Sequence, residues 1–167
     1  MILRGKAYKF GDDINTDYII SGKYKFKTLD INELTRHLME DLDPEFFLKV
    51  KPGDFIVAGS NFGCGSSREQ APLVVKQSKI GAVLAKSFAR IFYRNSINIG
   101  LPVLECDTDQ ISAGDELEVD LGKGMIRNLS QSQEFPFNPF PPFLLRILDD
   151  GGLVEHIRKH GKFFLEE

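Results

Sequence analysis

The chain has 167 residues, 42% of them apolar and 27% charged, with a net charge of −3, the profile of an ordinary soluble globular protein. Such a balance offers no basic surface for nucleic acid or an anionic membrane, and no apolar run reaches the ~18–20 residues a spanning helix needs. The opening Met1-Ile2-Leu3-Arg4-Gly5 lacks the apolar stretch and cleavage site of an export signal, so the expected compartment is the cytoplasm.

In chain order, Leu3 to Phe10 alternates as a strand does, and Gly11-Asp12-Asp13 ends it. Leu34, Leu38 and Leu42 at four-residue spacing predict an amphipathic helix over 31–42, with Asp30 as N-cap and Glu33 as its capping-box partner. Pro52-Gly53-Asp54 turns the chain into Phe55 to Gly59, a short apolar run that reads as a buried strand. A glycine-rich loop, a helix from about Glu69 to Gln77 and a second buried strand over Ile80 to Ala85 then make a β-loop-α-β unit with a parallel crossover. A short helix around 87–97 precedes a strand at Leu101 to Glu105, and Gly122-Lys123-Gly124 joins Glu116–Leu121 to Met125–Leu129 as a hairpin.

The segment Phe135 to Pro142 carries too many prolines for regular structure and is expected to be a connector packing its phenylalanines on the core. The turn Asp149-Asp150-Gly151-Gly152 and a terminal helix finish the chain. Alternating strands and helices followed by a hairpin define an α/β fold with a mixed sheet and flanking helices. No linker divides it, so residues 1–167 are expected to form one domain.

The loop Gly59-Ser60-Asn61-Phe62-Gly63-Cys64-Gly65-Ser66-Ser67-Arg68 carries the chemistry. Its glycines let backbone approach a ligand closely. Ser66, Ser67 and Arg68 follow where strand gives way to helix, in or beside the first turn, because Pro72 places the helix start shortly before it. A helix N-terminus favours an anion, and a guanidinium presents a planar fork to a carboxylate. Two accounts stand level on the residues alone: the serines receive an anion with Arg68, or they merely cap the helix with Gln70 completing a box. A phosphate-binding P-loop is a poor fit, because no Lys-Ser/Thr ending is present. Cys64 could be an activated thiol at a helix start, though no histidine lies near it in sequence; His37, His156 and His160 fall in predicted helices among charged neighbours and are expected at the surface.

The run GSNFGCGSSREQAP resembles the signature of the aconitase swivel-domain family, and within it the small subunits of isopropylmalate dehydratases and homoaconitases. Asp12-Asp13-Ile14-Asn15-Thr16-Asp17-Tyr18-Ile19-Ile20 is similar to the family's D-x-I-x-T-D-x-I-I segment. A third likeness runs from Ala85 to Asn95 with Asn98 and Gly100-Leu101-Pro102, and a fourth joins Pro141 to Leu145 with Gly151-Gly152-Leu153. These segments follow the family's order over most of the chain.

The resemblance implies a swivelling β/β/α domain and a hydro-lyase that moves water across two carbons of a hydroxy acid. Ser66 would be the alkoxide base, Ser67 and Arg68 the contacts to a substrate carboxylate, and Asn61, Gly63, Gly65, Asp17 and Arg90 the support, with Arg90 more simply read as a structural ion-pair partner. The Lewis acid would be a [4Fe–4S] cluster. Such clusters take about three or four cysteines, and this chain has only Cys64 and Cys106, so the cluster would belong to a large partner subunit and this chain would hold no metal. The family varies its substrate in the loop after Asp17, here Ser21 to Thr28, one residue longer than a Tyr-Leu-x-Thr pattern. Facing the ligand, Phe26 would suit an isopropyl group, whereas Lys25 or Lys27 would suit an extra carboxylate. Isopropylmalate is the expected substrate, with a homoaconitate-type or citramalate-type acid as alternative. A stand-alone anion-binding domain without chemistry is the reading from another class.

Overall fold

The computed structural model describes residues 1–25 and 27–161. The first half runs β1 (Ile2–Lys9), α1 (Thr16–Ile19), α2 (Gly22–Lys25), α3 (Ile31–Thr35), α4 (Phe46–Lys49), β2 (Phe55–Val57), α5 (Gln70–Gln77) and β3 (Ala82–Ala85). The second continues with α6 (Arg90–Asn98), β4 (Val103–Glu105), β5 (Glu116–Asp120), β6 (Met125–Asn128), β7 (Gln133–Pro136), α7 (Pro142–Asp149) and α8 (Leu153–His160).

Seven strands make one mixed sheet in the order β4-β3-β2-β1-β5-β6-β7. Strands β1 to β4 pair in parallel, while β5 returns antiparallel to β1 and continues through β6 and β7 as a meander. The composition of each half follows from what covers it. Every residue of β2 (FIV) and β3 (AVLA) is buried, as parallel strands with helical crossovers require. In β6 burial alternates along MIRN, the period-two signature of a sheet with one wet face. Phe46, Phe55, Phe62, Ile56 and Leu84 are fully buried where the layers meet. No helix of the described residues is long and apolar enough to cross a membrane.

Four expectations need correction. The helix expected over 31–42 stops at Thr35 and continues only as turns. Buried Met39 adopts φ +58°, which no helix accommodates, and sends its N–H to the Ile19 carbonyl at 3.0 Å. Asp30 does cap that helix, accepting from the Asn32 N–H at 2.8 Å, but its own N–H goes to Thr28 Oγ1 at 3.1 Å rather than to Glu33.

The proline-rich segment begins inside a strand. Residues 133–136 pair with β6, Phe135 opposite Ile126 and Pro136 opposite Met125. A proline is tolerated there because β7 is the sheet edge and Pro136 its last residue. Phe135, Phe137 and Phe140 are buried, as the connector reading requires. His156 is also buried, at 4% exposure, because the buried Asp150 carboxylate lies 2.7 Å from its Nδ1.

Candidate active site

Strands β1, β2 and β3 are parallel neighbours, so the segments that follow them emerge at one edge of the sheet, where α/β proteins place their ligands. Three sequence motifs thereby become one surface. The 12–17 segment runs alongside the glycine loop: Asp13 N–H donates to Ser60 O at 2.9 Å, Gly63 N–H to Ile14 O at 2.7 Å and Thr16 N–H to Cys64 O at 2.9 Å. The loop after β3 closes the other side, with Phe62 N–H donating to Ser87 O at 3.0 Å and Ala89 N–H to Phe62 O at 2.9 Å.

Gly63 shows why the loop needs glycine. Its φ is +78°, and a Cβ there would stand 2.3 Å from Phe92 Cγ. The backbone therefore passes flat against the Phe92 ring, which fixes the approach of the glycine loop to α6. Gly65 also has positive φ, at +87°, and releases the chain into exposed Ser66 and Ser67. Thr16 Oγ1 donates to the Ser66 carbonyl at 2.8 Å, tying the serine backbone to α1.

The convergence leaves a cleft of about 270 Å³, lined by Ser66, Ser67, Arg68 and Arg90 beside Thr16, Gly63 and Gly65, with Ala89, Ile91, Phe92 and Asn95 from the α6 side. It brings together Ser66, Ser67, Arg68, Gly63, Gly65 and Arg90, all singled out in the sequence. Arg68 is held from behind: its Nη1 lies 2.5 Å from Asp17 Oδ1 and donates to the Ile20 carbonyl at 3.1 Å. Both contacts use one nitrogen of the fork, and the side chain is only 13% exposed. Asp17 thus acts on the cleft through Arg68.

Asn61 stands outside the cleft, in the left-handed region at φ +62°. Its Nδ2 donates to Asp13 Oδ1 at 2.8 Å and its N–H to Ser87 Oγ at 2.8 Å, so it braces the loop. Lys27 is exposed and does not line the cleft. Phe26 and the side chain of Lys25 lie outside the described residues.

Three readings of the loop change. Helix α5 begins at Gln70 and carries no side-chain cap, so Ser66 to Arg68 precede its first turn and the capping account fails. Pro72 is the third residue of that helix, where a missing N–H costs no intrahelical bond. The Cys64 thiol is pushed up, by burial first and then by the Asp13 carboxylate, the reverse of an activated nucleophile. Arg90 is exposed on the cleft wall and makes no ion pair among the described residues, so it is a cation available to a ligand rather than a structural partner. Thr16, Ile91 and Asn95 also line the cleft, and each lies inside a motif that resembles the family although its own residue type signals no chemistry.

A cleft lined by two serines and two arginines at the carboxyl edge of a parallel sheet, extended by an antiparallel meander, defines the class. The chain belongs to the aconitase C-terminal domain family, which it matches over residues 18–109. More particularly, it is 58% identical over 161 residues to the 3-isopropylmalate dehydratase small subunit 2 of Archaeoglobus fulgidus, covering 96% of this chain and 98% of that one. It is 56% identical over 160 residues to the 3-isopropylmalate dehydratase small subunit of Caldicellulosiruptor saccharolyticus, covering 95% and 92%. The crystal structure of a 3-isopropylmalate dehydratase chain from Methanocaldococcus jannaschii superposes with a TM-score of 0.92 at 49% identity, covering 96% of each chain.

Proposed function

We propose that this chain is the small subunit of a two-subunit hydro-lyase, a 3-isopropylmalate dehydratase that interconverts 2- and 3-isopropylmalate by dehydration and rehydration in leucine biosynthesis. The proposal rests above all on one observation: exposed Ser66 shares a cleft with Arg68 and Arg90. Near-full-length identity to small subunits of that name supports the substrate. The same reading assigns it to the cytoplasm.

A proton on the carbon beside a carboxylate is weakly acidic, so its removal needs a base and a charge to balance the electrons left behind. Ser66 is the base in this proposal. Its alkoxide is stabilised by the two guanidinium groups, whose field strengthens once water is excluded. Arg68 holds a substrate carboxylate with the edge of its fork that Asp17 leaves open, and Ser67 donates a second hydrogen bond to it. The 21–28 loop that holds Lys25, Phe26 and Lys27 is taken as the segment that sets substrate choice, the apolar Phe26 suiting an isopropyl group and the lysines an extra carboxylate.

The departing hydroxyl needs a Lewis acid, and the proposal assigns it to a [4Fe–4S] cluster of the larger partner. This chain's own residues do not fit such a cluster. Neither of its two cysteines lines the cleft, and two fall short of the roughly three or four that such a cluster takes.

The test is reconstitution with and without the large subunit under anaerobic conditions. The chain alone should be colourless and inactive, and the complex should turn over isopropylmalate faster than homoaconitate-type acids. An isolated chain with a cluster and activity would overturn the two-subunit reading. A complex that prefers the longer diacid would overturn the substrate.

A further inference from the structure

Beyond the C-terminal end of α6, whose earlier residues line the cleft, lies a group of side chains that the dehydratase reading does not use. Asp150 ends α7, and His156 and His160 lie four residues apart on α8, which puts their rings on one face of the helix. The two ring centroids are 4.7 Å apart. Both rings address the same atom: Asp150 Oδ2 is 2.7 Å from His156 Nδ1 and 2.9 Å from His160 Nε2. The other carboxylate oxygen, Oδ1, is held by Lys159 Nζ at 2.6 Å. The three possible ligand atoms lie within 4.8 Å of one another.

We propose that Asp150 Oδ2, His156 Nδ1 and His160 Nε2 bind a single divalent cation of the zinc class, which clasps α8 to the end of α7.

The donor set is two imidazoles and one carboxylate, which suits Zn²⁺ and Co²⁺ better than Mg²⁺ or Ca²⁺, whose ligands are oxygens. A tetrahedral ion with bonds of about 2.0–2.1 Å separates its ligand atoms by roughly 3.3 Å. The nitrogens now stand 2.7 and 2.9 Å from Oδ2 and all three atoms lie within 4.8 Å of one another, so side-chain rotation must open the two nitrogen–oxygen spacings to seat the ion. Asp150 is already prepared as a ligand. Its two oxygens are already committed to side chains of α8, Oδ2 to both rings and Oδ1 to Lys159. The ion takes the lone pair of each facing ring nitrogen, and any proton there is released, as metal binding to histidine requires. Lys159 on Oδ1 orients the carboxylate from behind, as the outer partners of metal ligands do.

The frame is rigid where it must be. Gly152, at φ +125°, lies so close to α6 that a Cβ would stand 2.7 Å from the Asn98 carbonyl oxygen, and Lys76 Nζ donates to Gly151 O at 2.8 Å. Burial is graded from inside to outside: the Asp150 and His156 side chains are 5% and 6% exposed, and His160 is 35% exposed. The ion would thus enter from the His160 side, where water completes its shell. The ammonium of Lys159 opposes a cation, but it is 66% exposed, so solvent screens it.

The experiment uses the whole chain, stripped with a chelator, and Zn²⁺ or Co²⁺ alone as probe. One Zn²⁺ per chain should bind by titration calorimetry, Co²⁺ should give the intense visible absorption of a tetrahedral site, and Tm should rise with Zn²⁺ concentration. His160→Ala and Asp150→Asn should each weaken binding by 100-fold or more, while a Cys64→Ser/Cys106→Ser variant and His37→Ala bind as before. His160 is exposed enough that its loss leaves the fold intact, which circular dichroism checks. No Zn²⁺ bound at micromolar concentration would overturn the site, as would binding that survives in His160→Ala or disappears in the cysteine variant. Activity with the large subunit is not read, so failure here leaves the dehydratase reading untouched.

Discussion

Replacing Ser66 with alanine separates catalysis from structure, because the fold makes the two costs unequal. The Ser66 side chain is exposed and α5 takes no side-chain cap, so losing its oxygen should change stability by no more than about 0.5 kcal/mol. The neighbouring anchor survives, since Thr16 Oγ1 bonds the Ser66 carbonyl rather than its hydroxyl. If Ser66 removes the proton, kcat should fall by roughly 10²–10⁴-fold, or about 2.7–5.4 kcal/mol of barrier. KM should move little, because Ser67, Arg68 and Arg90 still line the cleft. The assay is steady-state kinetics on the reconstituted complex under anaerobic conditions, with thermal unfolding of the same sample. Near-normal turnover in a normally folded complex would remove Ser66 from the proposed chemistry, and Ser67 would be tested next. A drop in Tm of many degrees with kcat retained would restore the capping account.

Arg68→Lys should act mainly on KM, because a point charge cannot span both Asp17 and a substrate carboxylate as the fork does; an unchanged KM with lowered kcat would assign Arg68 to the transition state alone. Gly63→Ala forces a side chain to within 2.3 Å of Phe92 at φ +78° and should cost about 2–4 kcal/mol from backbone strain and overpacking; denaturant unfolding of the isolated chain measures it, and a neutral result would mean the loop is not pinned to α6. Glu118 lies between Arg4 and Arg127, and Arg4 first holds its carboxyl below the ordinary value of 4.5. Its contribution is therefore complete above pH 4.5 and fades as pH falls through the depressed value. Glu118→Gln should be less stable at neutral pH, with the gap to the wild type closing in acid; a gap independent of pH would assign the loss to packing.

The parallel half of the sheet was readable because its physics is local. Apolar runs bounded by Pro52-Gly53 and Gly81 are what buried strands with helical crossovers look like. The edge strand β7 was not readable: a proline excludes a central strand, but only the finished sheet reveals that residues 133–136 lie at its edge. His156 was misplaced for a similar reason. Charged neighbours on α8 suggest solvent, and the buried Asp150 that draws the ring inward comes from the preceding helix. At the site, residue types pointed to the glycine loop. The Arg68–Asp17 pair joins positions far apart in the chain, and no spacing rule announces it.

The geometry also bears on why such a chain works with a partner. A serine alkoxide is a base only where water is kept from it, and a guanidinium near an exposed oxygen is worth little in high dielectric. Ser66, Ser67 and Arg90 are exposed, and the apolar side chain of Ile91 beside them is 52% exposed. The chain thus prepares positions and charges but does not itself exclude solvent from them. Its fixed parts are the Gly63–Phe92 contact, the Thr16 anchor and the Asp17 brace on Arg68; Gly63, Phe92 and Thr16 are buried and Arg68 is nearly so. Ser66, Ser67 and Arg90 face outward. Under the proposed chemistry, desolvation on that face requires a second surface, and the same surface would carry the Lewis acid that this chain's cysteines do not fit. On that proposal, activation of the base and delivery of the Lewis acid would become one event, docking, so that neither half would act on substrate or lose a reactive intermediate to water alone.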